Sequence, residues 1–430
     1  MGAMGLASEV RRLRLARGLT QRELAEPAYT RAFVAAIESG ARVPSDEALA
    51  HLAGRLGTGV DDLRHGRPPG TEARLRARLV EARLALSHGR AEESAAELKA
   101  VLEEASAYRL TEITGWARLR LGEIHTHLGE SHSALAAFEE ILAETPAEQV
   151  RLHAAVVARV AYSRFTIGDP QRAMAILETE LRALRDRPEA DADAELRIAS
   201  GLMYVYNELD WNDRARQVEW EAAPLIPRVV DQEWVAQFCS TAAQLRRIES
   251  ELDDVDRLLT DAVRRYTDLG MQREIGMCHW ARGYVLRRAA RLPEAAAQFR
   301  RARAILHEVG AIQDVAGATI ELAEVLRRQG ELEEAGTLAA EAGATSERTG
   351  HREGMAEASR LLGLVCGQTG RNAEAEHHLA VAADRYEGAG LMAELVTTCG
   401  LLADLLLATG REAEARSMLR RGLRGAETLW

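Results

Sequence analysis

An all-α fold is the class that this 430-residue sequence predicts. Alanine, leucine, glutamate and arginine dominate the composition, and these residues favour helix. Aromatic residues make up only 4% of the chain, which argues against a β-sandwich or a barrel. Turn residues also recur at a fixed spacing, as expected for stacked helical repeats. Hydrophobic residues at 47% and charged residues at 28% exclude disorder across the whole chain.

The first 65 residues are predicted to form a small helical domain. Thr20 can cap a helix whose first turn holds Gln21 and Glu23, which is the pattern of a capping box. Thr30 can cap the next helix, over 30–39. Ser45 can cap a fourth helix, and apolar residues at helical spacing supply a core.

Beyond this domain the chain is predicted to be a repeat array. A Pro- and Gly-rich stretch divides the sequence into a domain at 1–66, a linker at 67–71 and an array at 72–430. Small residues, mostly alanine, stand five residues after most of the recurring turns, where they let two helices approach closely. This pattern predicts a right-handed α-solenoid of about nine helical hairpins. The recurring turn positions are Gly89, Gly129, Gly168, Asp210, Ser250, Ala290, Gly330, Gly370 and Gly410.

The distribution of charge predicts that only the N-terminal head contacts nucleic acid. Residues 1–45 contain seven arginines and four glutamates, a net charge of +3, whereas the rest carries 48 basic and 62 acidic residues, a net −14. No apolar stretch approaches the ~20 residues of a membrane helix, and the N-terminus does not read as a signal peptide. The four cysteines form no CxxC pair. We therefore expect a cytoplasmic protein without a membrane partner.

The head resembles the Xre (Cro/C1-type) helix-turn-helix regulators. The resemblance lies in Leu-Thr-Gln-x-Glu-Leu-Ala at 19–25 and Ile-Glu-x-Gly-x-x-x-Pro-Ser at 37–45. It implies that helix 30–39 enters the major groove of double-stranded DNA. A single module buries only ~600–1,000 Å² on DNA, so we expect a homodimer on a near-palindromic operator. The resemblance assigns DNA contacts to Gln21, Thr30, Arg31, Ala32, Ala35, Ala36 and Arg42.

The array resembles tetratricopeptide repeats, although its unit is 40 rather than 34 residues. Together with the head, it resembles the peptide-pheromone-sensing regulators of Gram-positive bacteria, the RRNPP group. This resemblance implies a transcriptional regulator that binds a signalling peptide or a small diffusible metabolite in the concave groove and thereby alters head spacing. In hairpins 2 to 6, one face of the first helices carries tyrosines, amides and arginines, which are typical of recognition surfaces. The candidate ligand-binding residues are Arg120, Arg159, Tyr162, Arg197, Tyr204, Gln237, Gln244 and Tyr284.

Two alternatives stay open on the sequence alone. The solenoid could instead bind a partner protein, with the head tethering this adaptor to DNA. Apolar residues on the inner face near the C-terminus, such as Leu361 and Leu401, fit either a subunit interface or a more tightly closed end. The chain contains no GxxxxGK[ST], GxSxG or HExxH motif, and its histidines lack convincing metal-ligand spacing. We therefore expect no enzyme activity, no metal and no cofactor.

Overall fold

A computed structural model describes residues 3–65, 67–128, 130–246 and 251–427. About 82% of the chain is helical, and the described residues contain no strand, which confirms the all-α prediction. The chain divides into two compact units. One comprises residues 1–82 and 95–118, and the other comprises residues 83–94 and 119–430.

The head consists of five helices around a small apolar core. The core contains Val10, Leu24, Val34, Ile37 and Leu52, each at most 1% exposed. These residues recur at helical spacing, so each helix buries one stripe and leaves the other faces to solvent. The five helices are α1 (Ala3–Ala16), α2 (Gln21–Ala25), α3 (Arg31–Glu38), α4 (Asp46–Arg55) and α5 (Val60–His65).

The rest of the described chain forms nine consecutive helical hairpins, as predicted. We number them 1 to 9 in chain order. A 3₁₀ helix (Ala223–Arg228) extends the second helix of hairpin 4. The paired helices are α6 (Thr71–Ser87) and α7 (Ala91–Ala107), α8 (Thr111–His127) and α9 (Ser131–Glu144), α10 (Val150–Thr166) and α11 (Pro170–Arg185), α12 (Ala192–Glu208) and α13 (Asn212–Ala222), α14 (Gln232–Gln244) and α15 (Leu252–Asp268), α16 (Gln272–Arg288) and α17 (Leu292–Glu308), α18 (Ile312–Gln329) and α19 (Leu332–Thr349), α20 (Arg352–Gln368) and α21 (Asn372–Ala389), and α22 (Met392–Ala408) and α23 (Glu412–Glu427).

Backbone conformation explains the turn period. Gly129 and Ser250 lie outside the described residues, and all seven other predicted turn positions have φ between +58° and +89°. Asp210 and Ala290 adopt this left-handed conformation without being glycine, so the repeat imposes it on ordinary residues too. The small residues five positions later are at most 1% exposed at Ala134, Ala173, Ala215, Ala295, Ala335, Ala375 and Ala415.

Two further observations concern the cysteines and the polarity of the helices. Cys239, Cys278, Cys366 and Cys399 are all buried, and none forms a disulfide. Within the described chain, every helix is too short or too polar to cross a membrane.

Candidate functional site

Capping fixes the two helices that form the candidate DNA-reading face. The Thr20 hydroxyl accepts a hydrogen bond from the Glu23 amide, and the Glu23 carboxylate accepts one from the Thr20 amide at 2.7 Å. The capping box predicted from the sequence is therefore present. Thr30 caps α3 by accepting a hydrogen bond from the Phe33 amide. Both helices thus start at defined residues, and this sets the register of the exposed side chains.

A buried carboxylate on α3 ties the first three helices together. Glu38 accepts hydrogen bonds from Arg14 Nε at 2.5 Å and from Gln21 Nε2 at 2.9 Å. Burial alone raises the pKa of Glu38, but the hydrogen bonds from Arg14 and Gln21 outweigh it and lower that pKa. Arg14 also donates to the Leu19 carbonyl. The inner face of α3 is therefore fixed by ion pairing as well as by apolar packing.

The opposite face of α3 is open to solvent. Arg31 and Ala32 are exposed, and Ala35 and Ala36 are half-buried one turn later. Arg42, beyond the end of the helix, places its guanidinium 4.7 Å from the centre of the Phe33 ring. Among the described residues, Arg31 has no ion-pair or hydrogen-bond partner. The predicted base-reading residues therefore lie on one accessible face.

Inside the solenoid, ion pairs join hairpins that are distant in sequence. Arg83 of hairpin 1 contacts Glu233 of hairpin 5 and Glu274 of hairpin 6, each at 2.9 Å. The Ser87 hydroxyl donates to Glu274 at 2.5 Å. Burial raises the pKa of Glu274, but Arg83 and Arg273 outweigh burial and bring it to about 2. Glu274 therefore stays ionised inside the solenoid.

Glu123 is the centre of a second part of this network. It pairs with Arg120 at 2.8 Å and with Arg159 at 2.6 Å. Burial alone raises the pKa of Glu123, yet the two guanidinium groups hold that pKa well below its usual range. Arg120 also lies 3.8 Å from Glu233, which links this cluster to Arg83. The inner surface is therefore crossed by paired charges.

Next to the network lies a cavity of about 490 Å³. Its walls come from the first helix of hairpin 1, the first helix and turn of hairpin 2, the first helix of hairpin 3, hairpins 6 and 7, and both ends of hairpin 8. Arg273 and Asp314, on opposite sides of the joint between hairpins 6 and 7, form a bidentate pair at 2.6 and 3.0 Å. The lining includes Arg83, Glu123, His127, Arg159, Tyr162, Arg273, Trp280, Asp314, Arg352 and Glu353.

Direct contacts between distant hairpins close the solenoid beside this cavity. A Cβ atom added to Gly89 would lie 1.5 Å from the Val309 carbonyl oxygen, so these two backbones touch. Gln313 donates from Nε2 to the Leu128 carbonyl at 2.9 Å. The turns of hairpins 1 and 2 therefore contact the junction between hairpins 6 and 7. We call these contacts the seam.

The structure brings some of the predicted ligand-binding residues together. Arg159 and Tyr162 line the cavity, and Arg120 shares Glu123 with Arg159. The ring centres of Tyr204 and Tyr162 are 5.8 Å apart. Arg197 donates a hydrogen bond to Gln237. These six residues belong to neighbouring first helices.

Gln244 and Tyr284 have partners within their own helices instead. Gln244 donates to the Ser240 carbonyl at 3.4 Å. The ring of Tyr284 lies 5.1 Å from the Arg287 guanidinium carbon, and its hydroxyl accepts a long hydrogen bond from Arg288. Neither Gln244 nor Tyr284 lines the cavity.

Sequence reasoning missed the walls that hairpins 7 and 8 contribute. Asp314, Arg352 and Glu353 stand at the starts of first helices, outside the columns from which the candidates were chosen. Trp280 was missed because it stands ten residues before its turn, a position outside the columns from which the candidates were chosen. An added Cβ at Gly317 would lie 2.2 Å from the Trp280 indole, so a small residue there is the one sequence signal of this wall.

Comparison with known proteins identifies both parts of the chain. Residues 6–66 match the helix-turn-helix domain family, and residues 314–388 match the tetratricopeptide repeat family. No curated protein sequence matches the chain. The chain joins a helix-turn-helix domain to a tetratricopeptide-like solenoid.

Solved structures share the fold of this helix-turn-helix and solenoid protein at low identity. A Rap protein complexed with competence and sporulation factor matches with a TM-score of 0.58 and 13% identity, covering 84% of this chain and 99% of that one. The apo quorum sensor NprR from B. thuringiensis matches with a TM-score of 0.52 and 15% identity, covering 83% and 99%. A signal transduction ATPase with a tetratricopeptide repeat sensor from Pyrococcus horikoshii has a TM-score of 0.51 and 12% identity, covering 79% and 53%. Solenoids of this type therefore occur in several different proteins.

Proposed function

We propose that this protein is a sequence-specific DNA-binding transcriptional regulator whose solenoid senses a peptide or small-molecule signal. The observation that carries the proposal is the solvent-exposed face of α3, on which Arg31 and Ala32 stand at the start of a capped helix. Family membership of residues 6–66 in the helix-turn-helix domains supports the same role. The cavity of about 490 Å³ has the size of a small-molecule site, which supports the sensing half.

The chemistry of the head fits DNA recognition residue by residue. Arg31 can donate two hydrogen bonds to a guanine, and Ala32 and Ala36 can contact a thymine methyl group. Gln21 uses one amide hydrogen on Glu38, which leaves the other for a phosphate. Thr30 accepts from the Phe33 amide, so its own hydroxyl hydrogen is available for a phosphate. Ala35 adds an apolar contact, and Arg42 can pair with a phosphate.

We further propose that the protein acts as a homodimer on a near-palindromic operator, with residues 72–430 providing both the sensing and the dimerising surfaces. Signal binding would alter the curvature of the solenoid and thereby the spacing of the two heads. A ligand changes this spacing only if it binds one curvature more tightly than the other. Two similar solenoids, a quorum sensor and a Rap protein complexed with competence and sporulation factor, support a sensory role.

A mobility shift with the DNA upstream of the protein's own reading frame tests the proposal. We expect Arg31→Ala to weaken binding by about 5- to 150-fold, because a bidentate arginine–guanine contact is worth roughly 1–3 kcal/mol. Arg64→Ala is the matched control, since it removes the same charge from α5, where Arg64 pairs with Asp46. Arg42→Ala is expected to weaken binding to all sequences and to lower the salt slope by about one.

Other outcomes would contradict the regulator. If Arg31→Ala and Arg64→Ala weaken binding equally, α3 does not read bases. If the wild type binds no upstream or genomic fragment selectively, but captures a protein through an interface above about 1,200 Å², the solenoid belongs to an adaptor.

A further inference from the structure

The cavity in the solenoid has a shape that limits what it can bind. Arg83, Glu233 and Glu274 cross the interior beside it, and the seam at Gly89 and Val309 closes one side. An extended ligand running along the interior would have to separate these buried pairs and leave charges without partners. The free space of about 490 Å³ lies within the range of pockets for small molecules. The geometry therefore favours a compact ligand.

Nearly all charges of the cavity wall are already paired. Arg83, Glu123 and Arg159 belong to the ion-pair network, and Arg273 pairs with Asp314. These side chains shape the wall but have little free capacity to bind a charged ligand.

Arg352 and Glu353 are the exceptions. Among the described residues, neither has an ion-pair or hydrogen-bond partner, although both line the cavity. Burial and the neighbouring carboxylates of Glu394 and Glu357 raise the pKa of Glu353. Arg352 and Glu353 are both exposed to solvent where they line the cavity, so a charged ligand can reach them, and a cationic partner would stabilise the charged form of Glu353.

The surroundings of this pair offer complementary groups. Arg352 and Glu353 occupy the first turn of α20, and the residue before them, His351, forms no side-chain cap. Backbone amides of an uncapped first turn favour an anion. The Tyr162 hydroxyl on the same cavity wall has no hydrogen-bond partner among the described residues, and Trp280 supplies an apolar surface.

We propose that the cavity binds a small zwitterion of the amino-acid class. Its carboxylate pairs with Arg352 and the first turn of α20, its ammonium group pairs with Glu353, and its side chain packs against Trp280. Arg352 and Glu353 are adjacent in the first turn of α20, so the same part of the cavity wall offers one positive and one negative group to the two charges of the ligand. This inference rests on the proposed sensing role and specifies its ligand.

Thermal unfolding and calorimetric titration of the full-length protein with each of the twenty free amino acids test the inference. At least one is expected to raise the Tm and to bind measurably. For that amino acid, the carboxamide lacks the carboxylate and the N-acetyl derivative lacks the ammonium group. We expect each masked form to bind at least about tenfold more weakly, because a charge-assisted hydrogen bond is lost.

Two substitutions test whether Arg352 binds the carboxylate of the ligand and Glu353 its ammonium group. Arg352→Gln is expected to reduce affinity for the free amino acid about tenfold while leaving the weak binding of the carboxamide unchanged. Glu353→Gln is expected to reduce affinity for the free amino acid about tenfold while leaving the weak binding of the N-acetyl derivative unchanged. Arg348→Gln, at an exposed arginine of α19 outside the cavity, is the matched control and should bind like the wild type.

Three results would overturn the inference. They are the absence of any amino acid that binds, equal affinity for the free and masked forms, and unchanged zwitterion affinity in both Arg352→Gln and Glu353→Gln. The titration contains no DNA, so it fails independently of the proposed regulator, which the mobility shift tests by itself. Circular dichroism of each variant shows whether the fold is retained.

Discussion

Substitution of Gly89 by alanine tests the seam, and the same substitution at Gly370 is its control. Gly89 has φ +75°, and a Cβ atom there would lie 1.5 Å from the Val309 carbonyl oxygen. Gly370 occupies the same turn position in hairpin 8, with φ +76°, and an added Cβ would have nothing within 4 Å. Gly89→Ala therefore combines left-handed strain with a backbone clash, whereas Gly370→Ala introduces the strain alone.

The magnitude follows from these two contributions. A left-handed backbone conformation costs a non-glycine residue roughly 1–2 kcal/mol, and this cost lowers the stability of both variants equally. A carbon and a carbonyl oxygen need about 3.3 Å, so the seam at Gly89 must open by roughly 2 Å. Ser87 lies two residues away from Gly89, and its 2.5 Å hydrogen bond to Glu274 is expected to break when the backbone moves by this distance. Overpacking of this kind costs about 1–3 kcal/mol beyond the strain.

We therefore expect Gly89→Ala to unfold at a Tm lower than that of Gly370→Ala by at least about 2 °C. Small-angle scattering is expected to show a larger radius of gyration for Gly89→Ala alone, because only that substitution separates contacts between distant hairpins. Equal losses of Tm in the two variants, with equal radii of gyration, would refute the reasoning that the seam holds the solenoid closed.

Two further predictions concern the cavity wall and the head. Gly317→Ala is expected to displace the Trp280 indole and change its fluorescence, because the new Cβ would lie 2.2 Å from the ring, whereas Gly336→Ala, whose Cβ meets only a side chain at 3.5 Å, should leave the spectrum unchanged. Glu38→Gln is expected to lower head stability at pH 7 by roughly 1.5–3 kcal/mol, because it removes the charged partner of Arg14. The pKa of Glu38 is lowered in the folded protein, so its contribution is fully present above the ordinary glutamate pKa of about 4.3 and is lost as the pH falls through the folded value. Chemical denaturation as a function of pH should accordingly show a flatter acid limb for Glu38→Gln, and an unchanged limb would contradict the assignment.

Local features of the fold were predictable because they depend on neighbours in sequence. The Thr20 capping box involves residues three apart, and the alanine five residues after most of the turns is buried. Positive φ at Asp210 and Ala290 shows that the period, rather than glycine itself, predicts the turns. Hairpin packing is thus readable from spacing alone.

The cavity was less predictable because its walls depend on how many small rotations between hairpins accumulate. Arg159 and Tyr162 were identified because they lie on the inner face of one first helix. Arg352 and Glu353 reach the same cavity only because hairpin 8 returns close to hairpins 2 and 3, and no local pattern encodes that return. Each of these residues is also unremarkable in type, since an arginine and a glutamate at a helix start usually face solvent.

Contacts between distant hairpins provide a physical basis for the proposed control of the solenoid by a ligand. A repeat array with contacts only between neighbours bends gradually, since each interface contributes independently. The seam adds contacts between residues more than 180 positions apart, such as Gln313 with Leu128. In the proposed mechanism, closure at these contacts would give the solenoid two states, one with the seam formed and one with it broken. The proposed ligand, held between hairpins 3 and 8, would contact both sides of the closure. It could then bind one state more tightly than the other, which is the condition for any shift in population.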